Sequence, residues 1–340
     1  MDGVFAARAA PRKPTFGFKV MWCLICGLAA PVLASIVLAQ SGMARTLEVG
    51  PGRALTGPAQ AAAVAKDGDR VVFDPGVYRE CAIWNASRLT LEARLAPATM
   101  NRTVMTQSIV TGPVCGGRAL FYFIGNDVLV RGLSFLHARD DGHNGAGILM
   151  EGANLTVENS EFQDNENGIL TGGPAGSVVR VRRSVFVGNG SCQGSCAHAL
   201  YAGAPITRLE VMGCVFVDTH VGHDIKSRAR MTVVRDNRIE DGPNGTASYL
   251  IELPDGGDAE IVNNLLHKGV RSENKEVAIS IGIESNHNPT HSLDIRGNRF
   301  ISDLPEPVRF VRNSTSTPAR LVNNALIGNV IPLEGPGTVE

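Results

Sequence analysis

A right-handed parallel β-helix, an all-β solenoid of stacked short strands with a short N-terminal capping helix, is the fold this sequence predicts. Three observations carry that prediction. Eight segments repeat one eight-residue pattern along the chain. Two apolar columns run through the repeats, five residues apart. A column of small and turn-forming residues, mostly Asn and Ser, stands between them.

The segments are VLVRGLSF (128–135), LTVENSEF (155–162), VRVRRSVF (179–186), LEVMGCVF (209–216), TVVRDNRI (232–239), AEIVNNLL (259–266), LDIRGNRF (293–300) and ARLVNNAL (319–326). Their last residues are separated by 27, 24, 30, 23, 27, 34 and 26 positions. A repeat of this length marks a solenoid, in which each unit buries its apolar face only against its neighbours. The last position reads Phe135, Phe162, Phe186, Phe216, Ile239, Leu266, Phe300, Leu326. Five residues earlier stand Val130, Val157, Val181, Val211, Val234, Ile261, Ile295, Leu321. In a straight strand, faces alternate with period two, so residues five apart point opposite ways. Both columns can face one core only if the chain bends between them. The column two before the end, Leu133, Ser160, Ser184, Cys214, Asn237, Asn264, Asn298, Asn324, supplies turn residues whose amides can form a ladder from coil to coil.

Each repeat carries a further strand before the bend, such as 147–150, 168–171, 198–201, 223–226, 249–252, 278–281 and 308–310. A coil of about 25 residues therefore holds three short strands, stacked in parallel at roughly 4.8 Å per coil. Insertions fall mostly before this further strand. A leucine-rich solenoid lacks its Leu/Asn signature here, and a β-sandwich gives no aligned columns.

The start of the repeat region has its own pattern. A stretch at 47–52, an alanine-rich stretch at 59–65 and "DGDRVVFDPGVY" at 67–78 follow one another. This resembles the opening of pectin-lyase-like β-helices, which begin with a strand, a short capping helix and a "GD…PG.Y" turn. The resemblance spans about 46–330 and implies one domain, which we place at 45–335.

Residues 1–44 are expected to lie outside it. Arg8, Arg12, Lys13 and Lys19 precede an uncharged run over 20–39, and small residues at 37–39 and 42–44 offer cleavage sites. This reads as a secretory signal peptide, so the protein is expected to be secreted or periplasmic. The alternative is an uncleaved membrane anchor formed by 20–39. Cys23 and Cys26 would leave with the signal, and an odd set of Cys81, Cys115, Cys192, Cys196 and Cys214 remains. Cys192 and Cys196 flank a Gln-Gly-Ser loop and suit a local disulfide in an oxidising compartment. A zinc site built on them with His198 has no second ligand pair at proper spacing. Net charge is −1, which offers no electrostatic footprint for nucleic acid. Six Asn-x-Ser/Thr sequons, at Asn85, Asn101, Asn154, Asn189, Asn244 and Asn313, are read as turn residues.

The polar, titratable residues of the further strands gather on three successive coils, 198–201, 223–228 and 249–255. We align Leu149, Leu170, Leu200, Ile225 and Ile251 as core-facing. Met150, Thr171, Tyr201, Lys226 and Glu252 then share one outward column, and Gly147, Gly168, His198, His223 and Tyr249 another. Lys226 and Arg228 are two apart and share a face, with Asp224 expected beside them. Such a cation pair can neutralise a uronate carboxylate and so acidify the neighbouring C5 proton. The plain reading is a solvated charged strand. Lys226, His223 and Arg228 are the candidate catalytic residues, with His198, Tyr201 and Glu252 for binding substrate. In the catalytic reading Lys226 is the base, its pKa lowered by the adjacent cation, or else the carboxylate clamp. His198 and His223 occupy equivalent places and could stack, share a metal, serve as acid and base, or simply be hydrogen-bonded in turns. Glu252, Asp255 and Asp224 are a candidate Ca²⁺ set, although no Asp-rich calcium loop is present. The loop at 140–143, Asp-Asp-Gly-His, is read as a turn.

Ile225-Lys226-Ser227 followed by TVVRDNRI resembles the alginate lyase and chondroitinase B group, whose base lysine lies in a Lys-Ser step. That resemblance implies Lys226 as base. The arginine which the group carries on the next coil has no counterpart in 249–256. His223-Asp224 resembles the His-Asp step of β-helix mannuronan C5-epimerases, with Val221-Gly222 in place of the Asp-Pro that precedes it there. The two expected functions are a lyase or epimerase of an anionic glycan, and a non-catalytic glycan-binding or cell-envelope scaffold. Polysaccharide is the expected partner in both.

Overall fold

The computed structural model describes residues 44–94 and 108–340. The expected signal or anchor segment lies outside the described residues, as does the sequon at Asn101. The described chain winds through three parallel sheets of 12, 10 and 10 strands, visited in turn by every coil. The fold is the right-handed parallel β-helix that the repeats predict.

The first sheet holds the Val column and the second the Phe column. Val157 pairs with Val130 and Val181, and Phe162 with Phe135 and Phe186, each in register from coil to coil. All are buried completely. The rings stack along the axis, with centroids 5.2, 4.8 and 4.4 Å apart from Phe135 through Phe162 and Phe186 to Phe216. Stacking identical rings fills each layer at near-constant volume, so successive coils need no repacking.

The bend has a backbone cause. The residue just before the Asn/Ser column is left-handed in all eight repeats: Gly132, Asn159, Arg183, Gly213, Asp236, Asn263, Gly297 and Asn323. Gly, Asn and Asp are the residues that accept this region at small cost, and seven of these eight positions carry one. The column itself then forms a ladder. Asn237 Nδ2 donates to Asn264 Oδ1, Asn264 Nδ2 to Asn298 Oδ1, and Asn298 Nδ2 to Asn324 Oδ1, each at 2.9 Å. Cys214, the odd cysteine, is buried in the same column as a small side chain, and burial pushes its thiol pKa up to about 12.

The N-terminal end follows the expected order, with strand Thr46–Val49, helix Pro58–Val64 and strands Arg70–Phe73 and Gly76–Tyr78. Tyr78 Oη donates to the carbonyls of Asp74 and Val49, tying the "GD…PG.Y" turn to the first strand. Disulfides join Cys81 to Cys115, and Cys192 to Cys196 across a two-stranded hairpin, Ser191–Gln193 with Ser195–Ala197. At the other end Gly337–Val339 adds a last strand to the first sheet.

One expectation fails in the third sheet. Leu149 and Leu170 do not align with Leu200, Ile225 and Ile251. The core column is Ile148, Ile169, Leu200, Ile225, Ile251 and Ile279. The outer column is Tyr122, Leu149, Leu170, Tyr201, Lys226, Glu252 and Ser280. Met150 and Thr171 therefore belong with Ala202, one place beyond the outer column. The slip arises because Leu149 and Leu170 are buried on the outer face in a small cluster with Ala119, Ala146, Tyr122 and Tyr201. They mimic core residues in the sequence.

Candidate functional site on the outer face of the third sheet

The outer column changes character at Tyr201. Before it the column is apolar, and after it come Lys226 and Glu252, in register on adjacent strands Ile225–Ser227 and Ile251–Leu253. The structure brings together all six candidates, Lys226, His223, Arg228, His198, Tyr201 and Glu252. Lys226 Nζ and His223 Nε2 lie 2.9 and 3.0 Å from Glu252 Oε2. Arg228 Nε donates to Tyr201 Oη at 2.9 Å and its Nη1 to Asp255 Oδ1 at 2.7 Å.

The two histidines stack with ring centroids 4.6 Å apart. Each Nδ1 accepts a backbone N–H from the next coil, His198 from His223 at 3.0 Å and His223 from Tyr249 at 3.2 Å. Burial and the nearby His223, Lys226 and Arg228 hold the His198 pKa well below the ordinary value, so its imidazole is neutral. With Nδ1 accepting, its proton sits on Nε2. The hydrogen-bonded-turn reading is correct for both rings, and the stacking reading with it.

Charge at the site is fixed by pairing. Burial works against the charge of Lys226, but Glu252 and Glu284 outweigh it and hold the ammonium above its ordinary pKa. Its pKa thus moves opposite to the expected lowering, because two carboxylates, not the adjacent cation, dominate its surroundings. Burial likewise opposes the charge of Arg228, and Glu284, Asp255 and Tyr201 more than offset it. Glu252, nearly buried, is held below the ordinary glutamate range because His223 and Lys226 outweigh its desolvation.

Two sequence expectations do not survive. Asp224 is fully buried and turns away from Lys226, accepting from Thr219 Oγ1 at 2.5 Å. The strand starts only at Ile225, so alternation does not extend to residue 224. Burial, then the nearby Asp241, drive the Asp224 pKa well above its ordinary value. The Ca²⁺ set of Glu252, Asp255 and Asp224 consequently does not converge, and Glu252 and Asp255 are already paired to cations.

Glu284 is the participant the sequence did not reveal. It lies on the loop between strands Val277–Ile281 and Leu293–Arg296 and reaches back two coils to Lys226 Nζ, at 2.9 Å, and to Arg228. Ser285 Oγ donates to Asp255 Oδ1 at 2.8 Å, and Asn288 Nδ2 to the Arg228 carbonyl at 3.0 Å, fastening the same loop. The one available signal was the 34-residue interval between the repeats ending at Leu266 and Phe300, the longest of the series.

A family model described as "Right handed beta helix region" matches residues 77–239. No curated protein matches the chain. Among solved structures, an alginate lyase from Paenibacillus sp. str. FPU-7 is similar with TM-score 0.61 and 17% identity, over 86% of this chain and 99% of that one. The Azotobacter vinelandii mannuronan C-5 epimerase AlgE6 A-module gives TM-score 0.47 and 15% identity, over 83% and 92%. Pectate lyase Pel9A gives 0.47 and 14%, over 85% and 78%. The first of these likenesses shows the shared fold.

Proposed function

We propose that the chain binds an anionic, uronate-containing polysaccharide on the outer face of the third sheet and moves the proton at C5, as a uronate lyase or C5-epimerase does. The observation that carries this reading is the pair Lys226 and Arg228, held charged side by side, with Tyr201 Oη bonded to Arg228 Nε. Both reactions begin by removing a proton beside a carboxylate, and negative charge then builds on the carboxylate oxygens. Preorganised cations stabilise that charge where it develops. Lys226 serves here as clamp, since it is kept protonated. We assign the proton exchange to Tyr201 Oη, which accepts from Arg228 Nε at 2.9 Å beside Lys226. His198 meets the Tyr201 ring edge-on, and His223 Nε2 lies 3.0 Å from Glu252 Oε2, so the two histidines act as positioning residues. Glycoside hydrolysis fits less well, since it needs a protonated carboxyl within reach of substrate, and Asp224, which is held protonated, is fully buried. Glu252 and Glu284 are both held below the ordinary range by the cations, against their burial. The Paenibacillus structure, an alginate lyase by name, supports the reading at the level of architecture.

The test is a panel of uronate polymers, read for unsaturated chain ends by absorbance and for epimerised residues by NMR. Lys226→Ala and Tyr201→Phe should each lose at least about a hundredfold in turnover while the fold persists, the scale of losing a proton-transfer or charge-stabilising group. Full activity in either variant removes that residue from the mechanism. A second reading, a non-catalytic glycan-binding or envelope scaffold, is favoured by one observation: the two cations already face Glu252, Asp255 and Glu284. Binding without products would establish it. We also propose export with removal of residues 1 to about 39–44, from the basic stretch, the apolar run and the small residues after it. N-terminal sequencing of the mature protein checks this, and an intact Met1 on membrane-extracted protein would favour the anchor.

A further inference from the structure

We propose that Glu284 is an internal stand-in for the ligand's carboxylate, so that the Lys226–Arg228 pair is an anion slot closed in the free protein and opened when an acidic sugar displaces this side chain. The inference rests on the uronate reading and adds the residue that decides which ligands enter.

Glu284 divides its two oxygens between the cations. Oε1 lies 2.9 Å from Lys226 Nζ, and Oε2 accepts from Arg228 Nη2. A carboxylate bridging two cations, one on the strand and one just past its end, is the contact expected of a bound uronate. The three carboxylates of the site differ in access. The side chains of Glu252 and Asp255 are 3% and 9% exposed, whereas that of Glu284 is 43% exposed. Glu252 and Asp255 are thus built in, and Glu284 is the cover.

Departure of the Glu284 side chain breaks no ladder hydrogen bond, because it comes from a loop. That loop is held by other groups: Ser285 Oγ to Asp255, Asn288 Nδ2 to the Arg228 carbonyl, and the Glu284 and Ser285 N–H groups to the Pro254 carbonyl at 3.0 Å. The side chain can therefore swing out while the backbone stays. The charge count points the same way. With Glu284 in place, two fixed cations face three carboxylates and the strip repels a polyanion. With it displaced, two face two, and a ligand carboxylate takes over the same two contacts. A neutral sugar hydroxyl offers no charge to exchange and leaves the pair closed. Burial works to raise the Glu284 pKa, but Arg228 and Lys226 hold it below the ordinary glutamate range, so the competitor stays charged at neutral pH.

The experiment uses the full chain as wild type, Glu284→Gln and Glu284→Ala, with sodium D-glucuronate as probe and methyl glucoside as neutral control. Calorimetry reads affinity, and acetic anhydride labelling read by mass spectrometry reports access to Lys226. The variants should bind glucuronate roughly ten- to a hundredfold more tightly, the scale of releasing a pair of charge-assisted contacts. Lys226 should be acetylated faster in both, and glucuronate should protect it. Equal glucuronate affinity and equal Lys226 labelling in wild type and both variants would overturn the proposal. So would a gain for methyl glucoside as large as that for glucuronate. Gains with glucuronate, but no binding or turnover of any uronate polymer by wild type, would keep the gate and reject the polysaccharide reading. Polymer turnover by wild type without those gains would do the reverse.

Discussion

Replacing Asn264 by Leu should destabilise the solenoid by about 2–3 kcal/mol. Asn264 is 1% exposed and sits mid-ladder. Its Oδ1 accepts from the Asn237 backbone N–H and from Asn237 Nδ2, both at 2.9 Å. Its Nδ2 donates to the Val234 carbonyl and to Asn298 Oδ1, both at 2.9 Å. Leucine removes all four. Asn237 Nδ2 keeps the Val211 carbonyl, and Asn298 Oδ1 keeps the backbone N–H of residue 264. The main loss is the buried Asn237 N–H, with weaker losses at Val234 and the two amides, at about 1 kcal/mol per bond. The apolar side chain returns part of that by burial. Urea denaturation followed by circular dichroism measures the change, and a fall in slope with the midpoint would show the affected coil opening alone. Asn264→Ser provides a graded control, because Ser160 and Ser184 fill the same column and Ser184 Oγ accepts the Ser160 N–H at 3.2 Å. Serine should cost less than leucine. An unchanged midpoint for Asn264→Leu, or a larger loss for serine, would refute the ladder as a source of stability.

Asp224→Asn should flatten the pH dependence of stability. The folded protein keeps a proton on Asp224 above the ordinary aspartate range while the unfolded chain releases it, so wild-type stability falls as pH rises through that window. The measurement should stop below pH 8, where Lys268, its pKa lowered to about 8 by burial, begins to contribute with the opposite sign. Identical pH profiles for variant and wild type would place the charge elsewhere. Arg183→Asn should stabilise by ~0.5–1 kcal/mol, because Arg183 has φ 47° in a column otherwise filled by Gly, Asn and Asp. A lower melting temperature would show that its Nε contact with Asn159 matters more. Removing the Cys81–Cys115 disulfide, which closes a 34-residue separation, should cost up to about 3–4 kcal/mol on the chain-entropy account. A melting temperature unmoved by Cys81→Ser/Cys115→Ser would show that bridge to be thermodynamically idle.

The fold was legible because its first two sheets obey rules visible in one dimension. Phe162 stacks on Phe186 because both sit at the same place in the repeat, and the bend between the columns is written in Asn159 and Ser160. The third sheet hides its register. Strands Ala146–Met150 and Asn167–Thr171 are buried at every position, so no period of two survives to separate inside from outside. The site was legible as a cluster, since charge on three successive coils can only stack on one face. Its protonation pattern was only half legible, because one of the two carboxylates that fix it, Glu284, arrives from a loop more than fifty residues further along the chain. Asp224 was misplaced for a simpler reason: a strand one residue shorter than the alternation suggests sends that side chain inward.

The position of the site along the axis has a physical consequence. Tyr201 is both the last member of the apolar outer cluster and the in-register neighbour of Lys226. The charged strip thus begins where water is excluded on one side by Leu170 and Tyr201, and the fully buried Ser280 stands next along the column on the other. Charges at such a boundary interact more strongly than on an open strand, since the surrounding dielectric is lower. The tight pairing of Lys226 and Arg228 follows from this, because an unpaired cation there would be costly. The same cost is what a ligand carboxylate can relieve when it takes Glu284's place. A solvated charged strand would have no such cost to relieve, and glucuronate binding by the Glu284 variants is the measurement that tells the two readings apart.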